Sequence, residues 1–256
     1  MKIENSRTLT SDNIELETVK YIPENPKGII YICHGLSVPK EAPGDVLKDT
    51  AIALGNAGFK VVTFDFRGHA TSGGKDIDFT IENGMKDLDA VFKTETNDLP
   101  IGMLGFSCGG TVSILYSYLN KIKLNALVLY SPALEFLKTT MTNPNSIIGS
   151  GLMNAQADGS YEANGYITVP NGFRIGKNFF DKIAEINVCE YVPKLSTKVL
   201  ICQALQDQML DFEYTKSLGE PISDKYVVFD SVHALVEEKE KAITETVEWF
   251  KRYLWR

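Results

Sequence analysis

No run of about eighteen consecutive apolar residues occurs anywhere in the 256 residues, so the sequence predicts no membrane span. Basic blocks are also missing. With 26 Lys and Arg against 33 Asp and Glu, the net charge is −7, and the chain shows no electrostatic footprint for DNA or RNA. The four cysteines, Cys33, Cys108, Cys189 and Cys202, form no C-x-x-C pair. They read as reduced structural thiols rather than a disulfide framework or a metal site. The first residues, Met1-Lys2-Ile3-Glu4-Asn5-Ser6, lack the apolar run of a secretion signal, and the expected location is the cytoplasm. Histidine is scarce, with only His34, His69 and His233. Any chemistry that needs an imidazole has three candidates.

What is present is ordinary for a globular protein: 44% hydrophobic and 23% charged residues, which argues against disorder. Short apolar runs at Ile29–Cys33, Val61–Phe66, Ile101–Phe106, Leu124–Tyr130, Val199–Cys202 and Tyr226–Phe229 alternate with helix-like segments. The helical segments lie around Val46–Ala57, Ile81–Phe92, from Cys108 to about Leu119, and around Phe212–Leu218. A final helix is expected to carry Val236, Ile243, Val247, Phe250 and Leu254 on one face. Runs apolar on both faces and separated by helices predict an α/β fold, a mostly parallel sheet covered on both sides. From about Glu135 to Glu190 the rhythm breaks into an Asn- and Gly-containing stretch dotted with aromatics. The expectation is one domain over 1–256 with a loop-rich lid insertion at about 135–190.

The chemistry is read from one junction outward. Ile101–Phe106 runs into Gly105-Phe106-Ser107-Cys108-Gly109 and then a helix. G-x-S-x-G between strand and helix is the setting of a nucleophile elbow: small residues two before and two after let strand and helix pass closely. Ser107 is therefore the expected nucleophile, projecting where the helix N-terminus offers free N–H groups. A serine needs a base, and only His233 follows it in the chain order Ser, acid, His. His233 is expected in a loop between the last strand and the final helix. The base needs a carboxylate to hold its tautomer. Asp207, just past the Val199–Cys202 strand, is preferred; Asp230 is the reserve, and Asp211 lies a helical turn further off. The oxyanion of a tetrahedral intermediate needs two N–H donors. Cys108 supplies one amide. Leu36, in the loop His34-Gly35-Leu36 after the first buried strand, supplies the other. His34 should brace that loop, and Asp65 and Arg67 should hydrogen-bond neighbouring loop backbone. A His34–His69 metal pair lacks a third ligand at metal-site spacing.

His34-Gly35, the D-x-R-G-H-x-x-S run Asp65–Ser72, Gly105–Gly109, Asp207 and His233, in this order, resemble the α/β-hydrolase superfamily over essentially the whole chain. More narrowly, the chain resembles bacterial cinnamoyl and feruloyl esterases within the serine-aminopeptidase-like and monoglyceride-lipase-like group. The resemblance implies an α/β-hydrolase fold, a Ser107–Asp207–His233 triad under a short lid, and hydrolysis of carboxylic esters without a cofactor or metal. Gln203-Ala204 stands where relatives often carry His-Gly, Val232 where an acidic residue is common, and Ala70 where Gly is common. The reading is a serine carboxylesterase for small to medium acyl or aryl esters. Its rivals are an acyl thioesterase, a serine peptidase, and a non-catalytic ligand-binding protein of the same fold. The expected partner is a small-molecule ester, and the oligomeric state stays open, a homodimer included.

Overall fold

Ile29, Tyr31 and Cys33 point into one hydrophobic cluster, and Ile30 and Ile32 into another on the opposite side of the same strand. Val62 and Phe64 against Val61, and Leu127 and Leu129 against Ala126 and Val128, repeat the division. Alternate side chains of a strand leave opposite faces of its sheet. Apolar residues at every position therefore require cover on both sides, and this is the arrangement seen.

The computed structural model describes residues 1–95 and 98–255. In chain order the elements are β1 (Lys2–Leu9), β2 (Glu15–Ile22), β3 (Ile29–Cys33), α1 (Val46–Asn56), β4 (Lys60–Phe64), α2 (Ile81–Lys93), β5 (Ile101–Phe106), α3 (Cys108–Leu119) and β6 (Leu124–Tyr130). The inserted segment holds α4 (Phe136–Thr142), α5 (Ile147–Ala157), α6 (Ser160–Asn164), β7 (Tyr166–Thr168), β8 (Arg174–Gly176) and α7 (Lys177–Ile183). The chain then returns to β9 (Lys198–Ala204), α8 (Phe212–Gly219), β10 (Lys225–Phe229) and α9 (Lys239–Leu254). Eight strands form one sheet in the order β1-β2-β4-β3-β5-β6-β9-β10. The β1–β2 and β2–β4 pairs are antiparallel and every other pair is parallel. This is the α/β-hydrolase fold that the motifs imply. Buried side chains of α2 and α3 join the first cluster and those of α1 and α9 the second. Tyr130 ties α9 to the sheet through its hydroxyl, 2.6 Å from Thr246 Oγ1 and 3.1 Å from the Ala242 carbonyl.

Three expectations change. The second buried strand ends at Phe64, not Phe66, and the turn begins earlier. Val236 is not on the final helix, which starts at Lys239; it lies in the preceding loop and lines the cavity that Ser107 also lines. The stretch read as loop-rich is largely helical. Its helices are short, and Gly and Asn within them mask the period; the Ser146 hydroxyl caps α5 by accepting from the Gly149 N–H at 3.1 Å.

Candidate active site

Ser107 sits between the last residue of β5 and the first of α3, with φ 52° and ψ −122°. Positive φ is strained for a residue with a Cβ, and such strain gathers at functional turns. Gly105 makes the turn sterically feasible: a Cβ there would lie 2.4 Å from the Cα of Gly110. The Ser107 N–H donates to the Tyr130 carbonyl at 2.9 Å, and its own carbonyl accepts from the Gly110 N–H at 3.0 Å, so the elbow is held from both sides. The Ser107 side chain lines the cavity and makes no hydrogen bond among the described residues. Apo hydroxyls at such sites often wait for substrate before their bonds tighten.

His233 and Asp207 come together from the loops after β10 and β9. His233 Nδ1 donates to Asp207 Oδ2 at 2.7 Å, and the Asp207 side chain is fully buried. A carboxylate in this state must have its lone pairs engaged. Oδ1 accepts the Met209 and Leu210 amides at 2.8 and 2.9 Å, and Oδ2 also receives Gln203 Nε2 at 3.3 Å. Because Nδ1 carries the proton toward Asp207, Nε2 is left as the basic nitrogen. The Gln208 side chain accepts the His233 N–H at 3.1 Å, and the Phe106 ring, beside Ser107, lies 5.1 Å from the imidazole. The other two carboxylates lie elsewhere: Asp211 caps α8 by accepting from the Tyr214 N–H, and Asp230 accepts from Gln206 Nε2. Gln203, Gln208 and Asn143, which donates to the Asp207 and Leu210 carbonyls, carry no local motif that sequence reading could find.

The loop after β3 brings Leu36 beside the Cys108 side chain. Neither the Leu36 nor the Cys108 amide donates to a backbone carbonyl among the described residues. Burial pushes the Cys108 thiol far above a free cysteine's range, so it stays neutral. His34 braces the loop: Nδ1 donates to the Gly35 carbonyl at 2.7 Å and Nε2 accepts the Phe66 N–H at 2.8 Å. His69 does the same one layer out, Nδ1 to the Arg67 carbonyl at 3.0 Å and Nε2 from the Ser37 N–H at 3.1 Å. Burial holds His34 well below the usual histidine range and His69 down to about 4, so both are neutral and all four ring nitrogens are occupied by backbone. Asp65 accepts from the Lys40 amide at 2.7 Å, as a loop brace should. Arg67 departs from expectation: its guanidinium spans two carboxylates, Asp87 at 2.7 Å and Asp12 at 2.7 Å, rather than loop backbone.

Ser107, His233, Leu36 and Ser37 open on one cavity of about 270 Å³. Its remaining walls are mostly apolar, with Phe136, Ile147, Ile148 and Val169 from the inserted segment facing Met209, Leu210, Val232 and Val236. Among the described residues, no Asp, Glu, Lys or Arg lines it.

A family model described as serine aminopeptidase S33 matches residues 24–240. No curated protein matches the chain. Among solved structures, an esterase from Pyrococcus furiosus is similar at 21% identity and TM-score 0.71, over 99% of this chain and 93% of that one. Est1E from Butyrivibrio proteoclasticus, solved with ferulic acid bound, is similar at 20% identity and TM-score 0.75, over 96% and 99%. The α/β hydrolase GrgF from Penicillium sp. sh18 is similar at 19% identity and TM-score 0.75, over 99% of both chains.

Proposed function

This chain belongs to the serine aminopeptidase S33 family, and from that premise we propose that it is a serine carboxylesterase acting on small to medium acyl or aryl esters. The supporting observation is that His233, paired with the buried Asp207, lines the same apolar cavity as Ser107. In the reaction His233 Nε2 takes the Ser107 hydroxyl proton as Oγ attacks the ester carbonyl carbon. The carbonyl electrons move to oxygen, and the resulting oxyanion is held by the Leu36 and Cys108 amides. Collapse of the tetrahedral intermediate breaks the bond to the alcohol, which leaves with the proton from His233. Water then attacks the acyl-serine, giving its proton to His233, and the acid departs as Ser107 recovers its own. Asp207 keeps the imidazole in the needed tautomer and stabilises the imidazolium in both halves.

An ester is favoured over a peptide because recognition of a substrate's free amine calls for a carboxylate, and none among the described residues lines the cavity. The ferulic acid held by Est1E is a reason to include aryl esters among the substrates tried. In this reading the chain is one domain, the 135–190 segment acts as its lid, and the protein works in the cytoplasm with its cysteines reduced.

A panel of p-nitrophenyl esters of increasing acyl length, with matching thioesters and aminoacyl anilides, tests the reading. Turnover of the oxygen esters that vanishes in Ser107→Ala is expected, together with loss of fluorophosphonate labelling. Equal labelling of both proteins would remove Ser107 as the nucleophile.

A further inference from the structure

Ser37, the residue after Leu36, has its backbone in the left-handed region at φ 62°. Such a conformation costs of order 1 kcal/mol or more for a residue with a Cβ and persists only where its surroundings hold it. Here the peptide groups are held at both ends. The Ser37 N–H donates to His69 Nε2 at 3.1 Å, and the Ser37 carbonyl accepts from Asn171 Nδ2 at 2.7 Å. His69 belongs to the sheet-edge loop. Asn171 belongs to the inserted segment, in the tight connection between β7 and β8.

The Asn171 amide is itself oriented. Its Oδ1 accepts the Phe173 N–H at 3.1 Å, which fixes the NH2 group toward Ser37. The Phe173 ring then lies 4.4 Å from the His69 imidazole, so two residues of the same connection, Asn171 on the Ser37 carbonyl and Phe173 against the acceptor of its N–H, hold both sides of Ser37. The base of the connection is anchored as well: Asp76 accepts from the Arg174 amide, Nε and Nη2 at 2.9, 3.0 and 2.7 Å. A hairpin fixed at its base thus reaches across to the loop that carries the Leu36 amide.

We propose that Asn171 is a positioning residue for the oxyanion site: by holding the Ser37 carbonyl it fixes the loop on the far side of Leu36, whose own N–H shares the peptide that His34 holds through the Gly35 carbonyl. This rests on the esterase reading above. The inserted segment would then do more than cover substrate, because its seating on Ser37 completes the donor geometry. An oxyanion donor displaced by a fraction of an ångström acts on the transition state and leaves ground-state binding nearly unchanged.

Asn171→Asp is the sharp test. The carboxylate keeps the shape and the acceptor for the Phe173 N–H, but it has no N–H for Ser37 and places negative charge against its carbonyl. Asn171→Ala serves as the second variant and Asn171→Gln as the one that retains a donor. With the best p-nitrophenyl ester, kcat should fall about 10- to 100-fold in Asn171→Asp and Asn171→Ala with KM within about twofold, a smaller loss than the 10²–10³ expected when a donor itself is removed. Inhibition by an alkyl trifluoromethyl ketone, whose serine adduct carries an oxyanion, should weaken by about the same factor. Asn171→Gln should recover part of both, and thermal melting checks that each variant is folded. A raised KM with unchanged kcat would make Asn171 a substrate contact and overturn the proposal. So would wild-type kcat and ketone inhibition in Asn171→Asp. Absence of Ser107-dependent turnover in the wild-type protein would instead overturn the esterase reading, and this proposal with it.

Discussion

Gly109 and Cys33 are in backbone contact across the start of α3: a Cβ on Gly109 would lie 2.2 Å from the Cys33 carbonyl oxygen. The obstacle is main chain at the end of β3 and cannot swing aside as a side chain would. Gly109→Ala should therefore destabilise the protein by about 3 kcal/mol, the upper part of the usual range for overpacking. It should also push the first turn of α3 away from Ser107. Urea unfolding measures the first effect, and the rate of fluorophosphonate labelling measures the second.

Asp207→Asn leaves the size of the buried group nearly unchanged but replaces an acceptor with an NH2 where His233 Nδ1 now donates. The imidazole must then turn its proton toward the cavity or lose the contact. In the proposed reaction kcat should drop about 10⁴-fold, the cost of the wrong tautomer. Steady-state kinetics on the best ester reads this directly, and a loss below about tenfold would point to another carboxylate.

The two neutral histidines behind the site make the fold acid-sensitive. His69 is held down to about 4 against 6.5 for a free histidine, because burial disfavours its charge. Between those values the unfolded chain binds the proton and the folded one does not, so unfolding takes up protons. Stability from this residue is complete above about pH 6.5 and is lost as pH falls toward 4. His34 has the same sign, and its ring is 4.9 Å from that of His69, so charging either opposes charging the other. Chemical denaturation from pH 7 down to pH 4 should show falling stability, with a shallower slope in His69→Gln.

Thiol chemistry should be slow in the native state. Burial pushes Cys33 up to about 12 and Cys189 up to about 11, and Cys108 and Cys202 further still. Of the four, only Cys189 is partly exposed. With iodoacetamide at neutral pH, intact mass should show at most slow modification of Cys189, and four adducts only after denaturation.

The strand–elbow–helix unit was legible because its constraints are local: β5 and α3 occupy the expected residues, and glycine spacing reflects direct backbone contact. Asp207 and His233 could be ranked because strand ends of a parallel sheet open on one edge. The β1–β2 hairpin gave no such signal, since β1 is largely exposed and alternates charged, polar and apolar residues. The Arg67 pairing is not legible in the sequence because its partners, Asp12 and Asp87, are 55 and 20 residues away, and no short pattern relates them. Spacing alone puts Val236 on the helix, but the helix begins three residues later and the side chain turns to the cavity instead.

The cavity is built from two sources. The sheet edge carries Ser107, His233 and the Gly35-Leu36-Ser37 loop, whereas Phe136, Thr140, Ile147, Ile148, Val169 and Pro170 all come from chain inserted between β6 and β9. In the proposed esterase, selectivity is then an exchangeable cassette: redesign of Phe136 or Ile148 should change which acyl groups fit while the sheet edge keeps its scaffold. The exception is the Asn171 tether, which any transplanted cassette must reproduce.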